Sequence, residues 1–91
     1  MITLESQVTI NAEFDNRYVS QIIDVLSKRT VSSIYITKDS SRQIAMKSLI
    51  GLLSGGFKKG DEVKLTVIGD NEHNVNRDLK IAEQLLLGEY D

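Results

Sequence analysis

The chain has 91 residues, of which 41% are hydrophobic and 26% are charged, the composition of one ordinary globular domain and not of a disordered segment. Eleven basic residues stand against 13 acidic ones, which argues against direct binding of nucleic acid. The absence of cysteine excludes a disulfide framework and a thiolate zinc site. No signal-peptide pattern opens the chain and no run of 18 apolar residues occurs, so we expect a cytoplasmic protein without membrane insertion.

The first half of the chain predicts a strand, a helix and a hairpin. Apolar and polar residues alternate from Ile2 to Ile10, as in a strand with one buried face. Between residues 19 and 26 the apolar spacing becomes i, i+3, i+4 and i+7, which predicts a helix with Asp15 or Asn16 as its N-cap. The β-rich run at 31–38, turn residues at 39–41 and a short strand at 43–46 predict the hairpin.

The second half predicts a short helix from Ser48 to Ser54, a strand from 61 to 68 and a last helix that begins after 69–71. Ser48 can cap the short helix, and Gly55-Gly56 can end it because glycine enters the left-handed conformation without a Cβ clash. The order is βαββαβα. Since each helix has one apolar stripe and each strand one apolar face, we expect a single α+β domain at 1–91, with all helices on one side of an antiparallel sheet.

The short helix is too apolar for one buried face. Leu49, Ile50, Leu52 and Leu53 follow one another almost without interruption, and a helix of this length can bury only part of them. We therefore expect an exposed apolar surface beside Ser48.

The segment K-S-L-I-G-L-L-S, followed by a glycine-containing stretch and G-D-E-V, resembles the regulatory serine region of HPr, the histidine-containing phosphocarrier of the bacterial sugar phosphotransferase system. The resemblance extends over nearly the whole chain in length and element order. It implies the open-faced HPr sandwich with three helices on one face of a sheet ordered 1-4-2-3. The strand order rests on the resemblance alone. No Walker loop, GxGxxG motif or zinc signature occurs, so the sequence gives no positive reason to expect an enzyme.

One motif departs from that family. Where HPr proteins carry G-[IL]-H-A-R-P-A, residues 13–19 read E-F-D-N-R-Y-V, so Asp15 occupies the position of the active histidine and Tyr18 that of the proline. A carboxylate cannot form the phosphoramidate of a phosphohistidine, and acyl-phosphate chemistry normally needs an acidic magnesium site. We expect Asp15 to cap the helix or to pair with Arg17. Arg17 is either a phosphate or partner contact, as the resemblance implies, or a solvated residue.

The lone histidine does not replace the missing one. His73 lies far in sequence from Arg17, has no triad partner in its neighbourhood and is expected at the surface. No set of residues has metal-ligand spacing, so we expect neither a metal nor another cofactor.

The resemblance implies that Ser48 is the regulatory phosphorylation site of HPr kinase/phosphorylase. It also implies that Ile50 and Leu53 face protein partners, namely enzyme I, transporter components or a transcription regulator of carbon catabolite repression. Phe57, next to Lys58-Lys59, is expected to extend this surface. The residues alone also allow plainer roles, in which Ser48 is only a cap and the apolar residues belong to the core.

The leading hypothesis is a regulatory HPr-like protein similar to the catabolite-repression HPr of Gram-positive bacteria, which lacks the active histidine and keeps the serine switch. A divergent phosphocarrier of a sugar or nitrogen phosphotransferase system, using Asp15 or His73, is the first alternative. The second is an interaction module in which Asp15 permanently presents a negative charge.

Overall fold

A computed structural model describes residues 1–39 and 42–90. In chain order the elements are β1 (Ile2–Thr9), α1 (Asn16–Arg29), β2 (Ser33–Thr37), β3 (Ile44–Ala45), α2 (Leu49–Ser54), β4 (Glu62–Gly69) and α3 (Glu72–Leu87). This is the predicted βαββαβα order. Of the predicted turn at 39–41, Ser40 and Ser41 lie outside the described residues.

The four strands form one antiparallel sheet in the order β1-β4-β2-β3. The sheet is organised around β4, which pairs with β1 from Ile2↔Gly69 to Thr9↔Glu62 and with β2 from Ser33↔Ile68 to Thr37↔Lys64. The central position of β4 explains why it carries a run of buried residues, from Leu65 to Val67. The α+β sandwich and the strand order that the resemblance implied are confirmed.

The core lies between the helices and one face of this sheet. The predicted stripe of α1 is buried at Val19, Ile22 and Leu26, and α3 contributes Val75, Ala82, Leu85 and Leu86. The strands, α2 and the connecting segments supply the other buried apolar side chains, which are Val8, Ile10, Ile34, Ile36, Met46, Leu52, Phe57, Val63, Leu65 and Val67. No helix in the described ranges is both long and apolar enough to cross a membrane.

The core also contains a buried carboxylate that the sequence analysis did not predict. Asp78 on α3 has no exposed surface, and its Oδ2 accepts the backbone N–H groups of Val31 at 3.0 Å and Ser32 at 2.8 Å. Arg77 Nε donates to Oδ1 at 3.1 Å. Burial alone would raise the pKa of Asp78, but the hydrogen bonds from Ser32, Val31 and Arg77 outweigh it and lower the pKa below its ordinary value. The carboxylate thus ties the connection between α1 and β2 to α3.

We expect Asp78→Asn to lower the free energy of unfolding by about 2 kcal/mol near neutral pH, because the N–H groups of Val31 and Ser32, which both donate to Oδ2, lose a charged acceptor. The folded-state pKa is below the unfolded-state value of about 3.9, so the carboxylate stabilises the fold fully above that value. Its contribution is lost as the pH falls through the folded-state pKa. Urea unfolding of both proteins should therefore show a difference that shrinks on acidification from about pH 5 to about pH 3. A difference that stays constant over this range would contradict the assignment.

Candidate functional site

The start of α1 holds Asp15, which the resemblance to HPr places at the position of the active histidine. Asp15 is the N-cap, with extended backbone, and its Oδ1 accepts the N–H of Tyr18 at 2.8 Å. An N-cap aspartate supplies one of the acceptors that the first helical turn lacks. The N-cap prediction for Asp15 is confirmed, and one carboxylate oxygen is already engaged by the helix.

A cavity of about 450 Å³ opens beside Asp15. Its lining includes Glu13, Arg17, Gln21 and Gly88. Arg17 is exposed, and among the ion pairs of the described residues none joins it to Asp15. The guanidinium is therefore open to an approaching anion or carboxylate.

Tyr18 makes a contact that its family position did not suggest. Its hydroxyl donates to the carbonyl of Leu85 at 2.5 Å, which joins the first turn of α1 to the last turns of α3. Partial burial raises the pKa of Tyr18 above its ordinary value. Where the resembled family has a proline, this chain thus has a tyrosine whose hydrogen bond joins two helices. No local sequence pattern predicts this contact.

Ser48 is the N-cap of α2. Its Oγ accepts the N–H of Gly51 at 3.1 Å, and its own N–H donates to the carbonyl of Ala45 at 3.0 Å. A Cβ on Gly51 would come within 3.0 Å of this Oγ and 2.8 Å of Ile44, so glycine allows the cap to lie close to the helix. The serine is partly exposed.

Three apolar side chains of α2 point away from the core, as the sequence predicted for part of this helix. Leu49 is 44% exposed, Ile50 80% and Leu53 40%, whereas Leu52 is buried. We call Leu49, Ile50 and Leu53 the α2 surface. This surface adjoins Ser48 directly in the chain.

The structure corrects the expectation that Phe57 belongs to this surface. The side chain is only 8% exposed, and its ring packs on Phe14 with a centroid distance of 6.0 Å. The chain reverses at Gly56, which has φ 75°, and the ring then turns back under the helix against Gly55. Gly56, and not Gly55, supplies the left-handed conformation. Since Phe14 precedes Asp15, this contact also joins the start of α1 to the end of α2.

The turn after α2 is fixed by charged side chains. Lys38 Nζ donates to the carbonyl of Gly56 at 2.9 Å and pairs with Asp61 at 2.9 Å, while the N–H of Lys58 donates to the same carboxylate. The hydrogen bond from Lys38 is the main reason why the pKa of Asp61 is below its ordinary value. Lys58 and Lys59 are exposed beyond this turn.

The remaining candidate, His73, is exposed in the first turn of α3. Within the part of the chain that the structure describes, no group of three or more His, Cys, Asp and Glu side chains could hold a metal ion.

We expect Phe57→Ala and Ile50→Ala to differ in their effect on stability, because Phe57 lies in the core and Ile50 on the α2 surface. Loss of the buried ring should lower the free energy of unfolding by about 3 kcal/mol, whereas loss of the exposed isoleucine should change it by less than about 0.5 kcal/mol. Urea unfolding of the two variants measures both values. Equal destabilisation by the two substitutions would contradict the burial of Phe57.

A family model described as "PTS HPr component phosphorylation site" matches residues 2–82. No curated protein matches the chain.

Solved structures share the fold. The phosphocarrier protein HPr from Bacillus anthracis has a TM-score of 0.80 at 17% identity, covering 94% of this chain and 99% of its own. HPr-C-His from Thermoanaerobacter tengcongensis has a TM-score of 0.67 at 25% identity, with full coverage of both chains. A histidine-containing phosphocarrier protein from Mycoplasma has a TM-score of 0.64 at 20% identity, covering 93% of this chain and 97% of its own.

Proposed function

Because the chain belongs to the HPr family of the phosphotransferase system, whose members are phosphocarriers and not enzymes, we propose that it is the regulatory variant of such a protein. In this proposal the chain acts in the cytoplasm in carbon catabolite repression. It is switched by phosphorylation of Ser48 and carries no phosphoryl group at residue 15.

The position of Ser48 is the observation that carries the proposal. Ser48 is partly exposed, caps the first turn of α2 and adjoins the α2 surface. A phosphate there would add about −1.5 to −2 charges beside free N–H groups at the positive end of a helix dipole. Its oxygens could keep the hydrogen bond from Gly51, so modification would change the surface potential without removing the cap.

The partners follow from this chemistry. HPr kinase/phosphorylase would modify Ser48, and a transcription regulator of carbon catabolite repression would bind the product. Arginine or lysine side chains of the regulator would pair with the phosphate, and an apolar patch would cover Ile50 and Leu53. Enzyme I and transporter components, which interact with HPr proteins, are further candidates for the same surface.

The start of α1 favours loss of the carrier function. The phosphoacceptor histidine is replaced by Asp15, whose Oδ1 is bound by the N–H of Tyr18. Imidazole attacks a phosphoryl group near neutral pH and releases it readily, whereas a carboxylate lacks that lone-pair nitrogen. Arg17 would then contact a partner carboxylate and not a bound phosphoryl group.

Phosphorylation by HPr kinase and ATP should require Ser48. We expect Ser48→Ala to abolish incorporation of phosphate, while Ser54→Ala leaves it unchanged. Ser54 is a matched control because it is exposed and lies at the end of α2 opposite Ser48, where its Oγ donates to the carbonyl of Ile50 at 2.6 Å. Incorporation is measured by mass spectrometry with peptide mapping. Phosphate that persists in Ser48→Ala would overturn the proposal.

Restoring the histidine tests the other half of the proposal. With enzyme I and phosphoenolpyruvate, we expect Asp15→His to gain an acid-labile phosphate, because an imidazole would then stand beside Arg17 and the helix N–H groups. Asp15→Asn, which keeps a capping oxygen, should gain none. If the unaltered chain already carries as much phosphate as Asp15→His, the protein is a divergent phosphocarrier.

A second candidate is an interaction module that needs no modification. Asp15 is exposed and presents its carboxylate at a cavity that Arg17 also lines, so a charged group is available there without phosphorylation. Under this alternative, binding of a phosphotransferase partner would survive Ser48→Ala and would be lost in Asp15→Asn, which removes the charge and keeps the cap.

A further inference from the structure

The α2 surface is a convex apolar projection. Leu49, Ile50 and Leu53 belong to one helix of six residues, and Ile50 alone is 80% exposed. Single exposed apolar residues are common on soluble proteins, but three neighbouring apolar side chains on less than two helical turns form a contiguous patch.

Charge is segregated around this projection. Residues 42–60 contain four basic residues and no acidic one, whereas the rest of the chain contains seven basic and thirteen acidic residues. Arg42, Lys47, Lys58 and Lys59 are all exposed. The next acidic residue, Asp61, is matched by Lys38 at 2.9 Å. The α2 surface is therefore bracketed along the chain by four exposed basic residues, of which Lys58 lies close enough to Asp61 to help lower the pKa of that carboxyl.

We propose that the α2 surface docks this protein peripherally on the anionic headgroup surface of a lipid bilayer. The lysines and Arg42 would attract acidic headgroups, while Ile50 and its neighbours enter the interface between headgroups and acyl chains. A fluid lipid surface accepts a convex projection without a matching hollow, whereas a protein partner must supply a pocket of the right shape.

The acidic remainder of the chain does not prevent this docking. The molecule extends 32 × 28 × 21 Å, so its far side lies more than one Debye length, about 8 Å at physiological salt, from a membrane that touches α2, whereas Glu13 and Asp15 flank Phe14, which packs on Phe57, and lie nearer. Charges on the far side are largely screened, while the basic residues beside the α2 surface are not. Docking should accordingly weaken as salt is raised.

Phosphorylation would reverse the docking, a step that rests on the proposed function of Ser48. A phosphate on the residue that precedes Leu49 would place about two negative charges within the basic segment and repel acidic headgroups. The unmodified protein would then be held at the membrane, and the phosphorylated protein would be released with its α2 surface free for a regulator.

The test uses the unmodified full chain and sedimentation with two kinds of vesicles, pure phosphatidylcholine and phosphatidylcholine containing about one third phosphatidylglycerol. We expect binding only to the second kind. Lys58→Ala combined with Lys59→Ala should lower the partition constant about 25-fold, or about fivefold for each lysine. Lys28→Ala combined with Lys80→Ala is the matched control, because these exposed lysines of α1 and α3 change the net charge equally.

Ile50→Ser should also lower binding while the fold, checked by circular dichroism, is retained, because the side chain is exposed. Ser48→Asp, which keeps an N-cap, should release the protein. Absence of binding to the acidic vesicles, equal binding to both kinds, or equal losses in the two lysine pairs would overturn the docking proposal. None of these results bears on phosphorylation of Ser48, since no kinase is present in the assay.

Discussion

Each of the three helices begins at a side-chain oxygen that accepts the N–H of the residue three positions ahead. Asp15 accepts from Tyr18, Ser48 from Gly51 and Asn71 from Asn74, at 2.8, 3.1 and 3.0 Å. A helix start leaves N–H groups without intrahelical partners, so these caps fix where the helices start on the sheet. Two of the three caps are also the residues on which the proposed function depends. Any chemistry at Asp15 or Ser48 must therefore preserve an acceptor for the helix, which a phosphoserine does and an alanine does not.

The caps Asp15 and Ser48 allow different chemistry at the starts of α1 and α2. Asp15 carries one fixed negative charge, and one of its carboxylate oxygens accepts an N–H of α1. It has no imidazole, so residue 15 cannot alternate between the neutral and phosphorylated forms of a histidine. Ser48 is neutral and partly exposed beside an apolar surface, so its charge can change by modification. The contact between Phe14 and Phe57 packs the segment that precedes Asp15 against the segment that follows α2. Under the proposed function, a change from carrier to regulator would thus need no change in the fold.

Periodicity in the sequence is sufficient for the element order, the helix caps and most of the core, because these depend on neighbours within a few residues. The order of the strands depends on pairing between distant segments and came only from the family resemblance. The direction of Phe57 depends on the positive φ of Gly56, which the sequence alone could not assign to one of two glycines. The burial of Asp78 could have been predicted, because the residue falls between Val75 and Ala82 on the buried stripe of α3. Its partners on the α1–β2 connection could not be inferred from that stripe.

The central claim is that this chain accepts phosphate at Ser48 and not at residue 15. Its most direct test is the intact mass of the unaltered protein after two separate incubations, one with HPr kinase and ATP and the other with enzyme I and phosphoenolpyruvate. The account predicts the added mass of one phosphoryl group in the first incubation and none in the second. A phosphoryl group transferred only from phosphoenolpyruvate would contradict it and would make the protein a carrier in spite of Asp15.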